Sequence, residues 1–178
     1  MQKRITILTL VILIVSTFAM AQQDKSKRPS PPAQAQCSLS NGKTITVDYS
    51  SPRMKGRKIF GDLVPFGEVW RTGANEATTF VTTSDLKVEG KTIPAGNYTI
   101  FTVPNAEKWT LIVNKKTGEW GIPYKYEGDE LVRVDMKVSH TSSPLENFTI
   151  AFDQGGKSCT MKVSWENTEA SVKFMEGK

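Results

Sequence analysis

From Cys37 onward, apolar residues recur at every second position, and the runs are separated by Gly, Pro and Asn turn chemistry. A period of two belongs to strands, whose successive side chains leave opposite faces of the pleat, whereas a helix repeats every three to four residues. In KTITVDYS, Ile45, Val47 and Tyr49 alternate with Thr44, Thr46 and Asp48, and in NYTIFTV both faces are β-branched or aromatic. The same patterning predicts strands at Thr78 to Thr83, Lys87 to Glu89, Lys108 to Asn114, Glu130 to Val138, Asn147 to Phe152, Ser158 to Glu166 and Ala170 to Met175, about nine in all. Between them lie turn signals such as Pro94-Ala95-Gly96, Lys116-Thr117-Gly118 and Gly155-Gly156. No long segment keeps a helical period, and one short helix or turn fits within Gly61 to Val69. The expectation is an all-β, single-domain antiparallel β-sandwich or partly closed barrel.

The chain opens with Lys3 and Arg4, an apolar stretch from Ile5 to Val15, and small residues at Ala19 and Ala21. This is the pattern of a secretory signal peptide over residues 1–21, cleaved after Ala21, and it leaves no transmembrane anchor after processing. The apolar run from Ile5 to Ala21 is 17 residues, short of the roughly 20 that a span needs. Next comes QQDKSKRPSPPAQAQ, residues 22–36, with three prolines and no bulky apolar side chain; it reads as a flexible spacer, with the domain occupying residues 37–178. Residues 22–178 number 157, a usual size for one domain. Removal of Lys3 and Arg4 lowers the formal charge from +5 to +3, and no basic block carries interleaved aromatics. Nucleic acid is therefore not an expected partner, and the mild charge favours at most an anionic one.

Cys37 and Cys159 are the only cysteines, and in an exported chain two cysteines most simply form a disulfide. Redox or thiolate-metal chemistry has neither a CxxC nor a nearby histidine behind it. His140, the single histidine, sits in the polar segment SHTSSP and reads as a surface residue. No cluster has metal-ligand spacing, there is no GxSxG elbow, and no phosphate-binding loop of the P-loop type occurs. Neither a metal nor a cofactor is expected.

The densest candidate site is GEVWRTGANEATTF, Gly67 to Phe80, which breaks the strand pattern with Gly and Asn where a loop needs unusual backbone angles. Arg71 suits a carboxylate, phosphate or sulfate through its planar fork, Asn75 a polar group, and Trp70 a stacked ring, while Glu76 can orient Arg71 or act as a base. The structural alternative has Trp70 plugging the core, Arg71 paired with Glu76 and Asn75 making a turn. Upstream, SSPRMKGRKIFG reads as a basic loop that would suit an anion if Lys55 and Arg57 fold toward Arg71, and as a solvated charge run if they do not. Downstream, VNKKTGEWG places Asn114 and Lys115 at a strand end with Trp120 beyond a turn, a second candidate edge or a hairpin tip.

The segments YSSPRMKGRKIFGDLVPFGEVWRTGANEATTF, KTIPAGNYTIFTVP and WTLIVNKKTGEWG, in this order, resemble the bacterial domain-of-unknown-function family numbered 2911. The likeness covers about Ile45 to Phe152, and WRTGANEAT with PAGxYxxFTxP carries most of it. It implies a β-rich domain in the bacterial envelope, and no reaction. The positions matching the family's wording are Lys55, Gly56 and Arg57, then Trp70, Arg71, Gly73, Ala74, Asn75 and Glu76, then Asn114, Lys115, Trp120 and Gly121.

Three classes of function remain open at this point. The first is a binding module in which Arg71, Asn75 and Glu76, helped by Lys55, Arg57 and Lys115, hold a small polar or anionic ligand beside Trp70. The second is an acid-base enzyme, a hydrolase or isomerase, with Glu76 as base and Arg71 as electrostatic stabiliser. The third is a structural or interaction module, which an exposed apolar patch or unpaired edge strand would favour. No residue pattern bears on oligomeric state.

Overall fold

The computed structural model describes residues 24–177, so the signal peptide and the first two residues of the spacer lie outside it. The described chain is all-β, with three isolated 3₁₀ turns and nine strands in one antiparallel sheet. The strands are β1 (Pro32–Ser38), β2 (Thr44–Ser50), β3 (Thr79–Thr82), β4 (Leu86–Val88), β5 (Lys91–Ile93), β6 (Gly96–Val103), β7 (Lys108–Asn114), β8 (Glu130–Gln154) and β9 (Ser158–Glu176). Their spatial order is β1-β2-β3-β6-β7-β8-β9-β4-β5, and the sheet is not closed into a barrel. Among the described residues no helix is long and apolar enough to cross a membrane.

The sheet doubles over through its long last hairpin. The first half of β8 pairs with β7, from Lys108↔Lys137 to Asn114↔Glu130, and the end of β9 pairs with β4. Register shifts around His140, Leu145 and Thr149 then bend the β8–β9 ribbon, as extra unpaired residues do. Its far half lands on β1 and β2. There Ile150 N–H donates to the Tyr49 hydroxyl at 3.1 Å, the Ser51 hydroxyl donates to the Phe148 carbonyl at 2.6 Å, and Cys37 of β1 is bonded to Cys159 of β9.

Two features depart from the sequence reading. Pro32 to Gln36, assigned to the flexible spacer, are part of edge strand β1, in register with β2 from Pro32↔Ser50 to Cys37↔Ile45. A strand needs no bulky residues when its backbone is paired and small side chains face inward, as the buried Ala35 does; Pro32 sits at the strand's first position, where a missing N–H is tolerated. The count of nine matches for a compensating reason. β1 and the three-residue β5 were not foreseen, while four expected strands merge in pairs into β8 and β9. Gly61 to Val69 holds turns and no helix.

Apolar faces pack as the alternation requires. Ile45 and Val47 of β2, Ile100 of β6, and Leu111 and Val113 of β7 are fully buried in the main core with Trp109, Phe148 and Trp165. β6 and β7 are covered on both sides. Phe101 and Ile112 point outward into a second small cluster with Ala77, over which Val69, Tyr124 and Tyr126 fold. The segments before β3 and after β7 are thereby brought onto one outer face.

Candidate functional site

The 51–78 segment between β2 and β3 has no regular strand of its own, yet its backbone is tied down throughout. Met54 N–H donates to the Glu146 carbonyl at 2.7 Å, and Trp70 makes an isolated two-bond bridge with Thr102 of β6, at 2.8 and 2.9 Å. After Trp70 the chain turns sharply. Thr72 has φ 54° and Asn75 φ 59°, in the left-handed region that a β-branched threonine adopts only when its surroundings enforce it. Buried Thr72 is held by hydroxyl contact with Thr102 at 3.1 Å, and its carbonyl accepts from the Thr78 hydroxyl at 2.7 Å. The turn is thus fixed by side-chain bonds rather than by a strand ladder.

Its side chains go to different places. The Trp70 ring is 7% exposed and packs among Phe60, Trp109, Phe148 and Trp165, with its indole N–H donating to the Gly73 carbonyl at 3.1 Å. Arg71, the next residue, reaches the rim. Its guanidinium donates to the backbone carbonyls of Asn75 at 2.6 Å and Trp120 at 3.3 Å and lies 4.9 Å over the Trp120 ring. Partial burial lowers its pKa from the ordinary arginine value, against the nearby Glu76 charge, but an arginine remains protonated at any physiological pH. Asn75 turns its amide away to the Ser30 carbonyl at 3.0 Å.

Glu76 does not form an ion pair with Arg71. Its carboxylate accepts two bonds from Arg28, at 3.0 and 2.9 Å, and Lys25 lies 3.2 Å away. Its own backbone N–H, then Arg28 and Lys25, hold its pKa down at about 2 despite partial desolvation. A carboxylate so stabilised as the anion is a poor general base near neutrality. The expected Arg71–Glu76 partnership is replaced by a clasp between the loop and the segment that precedes β1.

One cleft of about 370 Å³ opens at this loop, lined by Arg57, Arg71 and Glu68 together with Leu63, Val64, Val69, Ile122, Trp70 and Trp165. A second groove of about 370 Å³ adjoins it, lined by Arg53, Lys55 and Arg57 with Ser30 and Pro52. Ser30, Pro52 and Arg57 belong to both walls, so the basic loop does turn toward Arg71. Arg57 is anchored by donating to the carbonyls of Met54 and Arg53, at 3.0 and 2.6 Å. Among the described residues no carboxylate lies within ion-pairing distance of the side-chain cations of Arg53, Lys55, Arg57 or Arg71, although the Glu146 carboxylate accepts from the Lys55 backbone N–H at 2.9 Å.

Of the downstream candidates, Asn114 is built into the scaffold, while Lys115 and Trp120 are exposed. Asn114 is fully buried; its amide donates to the Tyr124 hydroxyl at 3.2 Å and the Tyr126 carbonyl at 2.8 Å, and its oxygen accepts from Lys116 N–H at 2.8 Å. It clips the 115–129 segment onto the end of β7. Lys115 is exposed, with its backbone N–H on the Asp129 carbonyl. Trp120 supplies the face under Arg71. Gly121, at φ 90°, lets that segment approach, because a Cβ there would meet Ala77 Cβ at 2.8 Å. Glu76 opens instead onto a separate pocket of about 180 Å³.

The sequence reading missed Leu63, Ile122 and Trp165 as wall residues, while Glu68 falls inside the Gly67 to Phe80 stretch it singled out. Leu63 and Ile122 had a visible signal, being large apolar residues in turn-rich segments that no strand would bury. Trp165 lies on β9 and reaches the site only through the bend of the ribbon.

The fold is a β-sandwich domain with a basic cleft on one loop face, and its disulfide is compatible with an extracytoplasmic location. A family described as "Protein of unknown function (DUF2911)" has a sequence model that matches residues 30–174, and the chain belongs to this family. No curated protein and no solved structure matches the chain.

Proposed function

We propose that this protein is an exported binding module, periplasmic or secreted, that holds a small anionic ligand in the cleft between Arg57 and Arg71. The observation that carries the reading is a pair of guanidiniums fixed by backbone carbonyls, free of carboxylate partners among the described residues, and lining one cavity. Fixed donors of this kind recognise planar oxyanions with little ordering cost. Lys55 and Arg53 extend the positive wall, and Glu68 is the one carboxylate on it. The acid-base enzyme loses its proposed base, since Glu76 is committed to Arg28 and Lys25.

Isothermal titration with inorganic phosphate, acetate and citrate tests the reading, alongside Arg57→Gln and Arg71→Gln. A charge-assisted bond contributes about 1.5–3 kcal/mol, so each substitution is expected to weaken the best-binding anion by about 10- to 100-fold with the melting curve retained. Unchanged affinity in both folded variants would remove the cleft from consideration. An interaction module is the second reading, favoured by the exposed apolar side chains of Leu63, Phe66, Trp120 and Ile122.

A further inference from the structure

We infer that the ligand of the Arg57–Arg71 cleft is an anionic amphiphile, a carboxylate or phosphate head carrying a hydrocarbon chain; this rests on the proposed anion site and narrows it. The two adjoining cavities differ in chemistry. The groove by Arg53, Lys55 and Arg57 is polar and basic, with only prolines as apolar wall. The main cleft continues from Arg57 past Leu63, Val64, Val69 and Ile122, an aliphatic wall. An ion without an apolar part would leave that wall wet, and an uncharged hydrocarbon would leave four cations facing one carboxylate, Glu68.

The mouth carries the same message. Six large apolar side chains are exposed among the described residues, and four of them, Leu63, Phe66, Trp120 and Ile122, sit on the two loops that meet at this cleft. Leu63, 45% exposed, and Ile122, 42% exposed, line it directly, so their uncovered area is area a bound chain would cover. A sugar is a poorer fit. Stacking on a sugar ring needs an open aromatic face; Trp70 and Trp165 are 7% and 2% exposed, and the exposed Trp120 at the mouth carries the Arg71 guanidinium over its ring.

Calorimetric titration of the mature protein with acetate, butanoate, hexanoate, octanoate and octyl phosphate, each below its aggregation concentration, tests this, with 1-octanol as the uncharged control. Affinity is expected to rise about fourfold per methylene, the increment for burying one CH₂, until the cleft is filled. Octanol is expected to bind at least tenfold more weakly than octanoate. Leu63→Asn and Ile122→Asn, at exposed positions that leave the core intact, are expected to flatten the chain-length series, lowering the ratio of octanoate to acetate affinity at least tenfold. Octanoate against octyl phosphate identifies the head that is preferred. Acetate or butanoate binding with no dependence on chain length would overturn the amphiphile while the anion site stands. Octanol binding as tightly as octanoate would overturn the charged head, and no binding by any member would overturn both.

Discussion

Replacing Glu76 by Gln removes the charge at the centre of the clasp and keeps its shape. Lowering this carboxyl from its ordinary 4.5 to about 2 corresponds, unscreened, to about 3.4 kcal/mol of stability at 1.36 kcal/mol per tenfold. The side chain is 43% exposed and Arg28 21%, so solvent and salt take most of that away, leaving about 1 kcal/mol. Because folding depresses the pKa, the contribution is complete above pH 4.5 and drains away as pH falls toward 2. Urea unfolding followed by tryptophan fluorescence at pH 7, 5, 4 and 3 measures it. E76Q is expected to be about 1 kcal/mol less stable than the parent at pH 7, with the difference shrinking toward pH 3. Parallel stability curves for the two proteins across this range would mean that Glu76 titrates alike in folded and unfolded chains, and the clasp would then contribute nothing.

Three further outcomes follow from the core and its fastenings. The Cys37–Cys159 bond closes a 122-residue separation, which in the chain-entropy model is worth about 5 kcal/mol; the C37S/C159S double variant is expected to melt about 10–20 °C lower by calorimetry. Trp70→Ala empties the centre of the aromatic cluster and is expected to cost about 3–5 kcal/mol in urea unfolding, with Trp70→Phe costing clearly less. Asn114→Ala orphans the Tyr126 carbonyl and the Lys116 N–H, an expected loss of about 1–3 kcal/mol, with hydrogen exchange rising across residues 115–129 and not across β2.

Most strands were legible because a half-buried strand writes its two faces into the sequence, as Ile45, Val47 and Tyr49 do. β1 was not, since Ala33, Gln34 and Ala35 carry almost no face contrast and their order comes from pairing with β2. The bend of β8 and β9 hid behind turn-like residues around His140 and Asn167 that the ribbon absorbs as bulges. At the site, WRTGANEAT was found by its composition, and Arg57 could be connected to Arg71 only conditionally. Partners were the illegible part. Glu76 looked local to Arg71, yet its cations come from Lys25 and Arg28, 48 residues away in the case of Arg28. Ile122 reaches the cleft only because Asn114 and Gly121 fold its segment back over β6 and β7.

The bent ribbon also sets the order in which this domain can be made. β8 and β9 each belong to both layers, and the strand that β9 is bonded to, β1, is the first to leave the ribosome while β9 is the last. The layer over β1 and β2 is closed by the far halves of β8 and β9, so the early strands keep their apolar faces open until the chain beyond about residue 147 is present. Pairings between distant parts of a chain are the slow ones to form. The two layers are therefore joined by contacts that are among the most distant in sequence, and their closure is expected to be the slow step of folding.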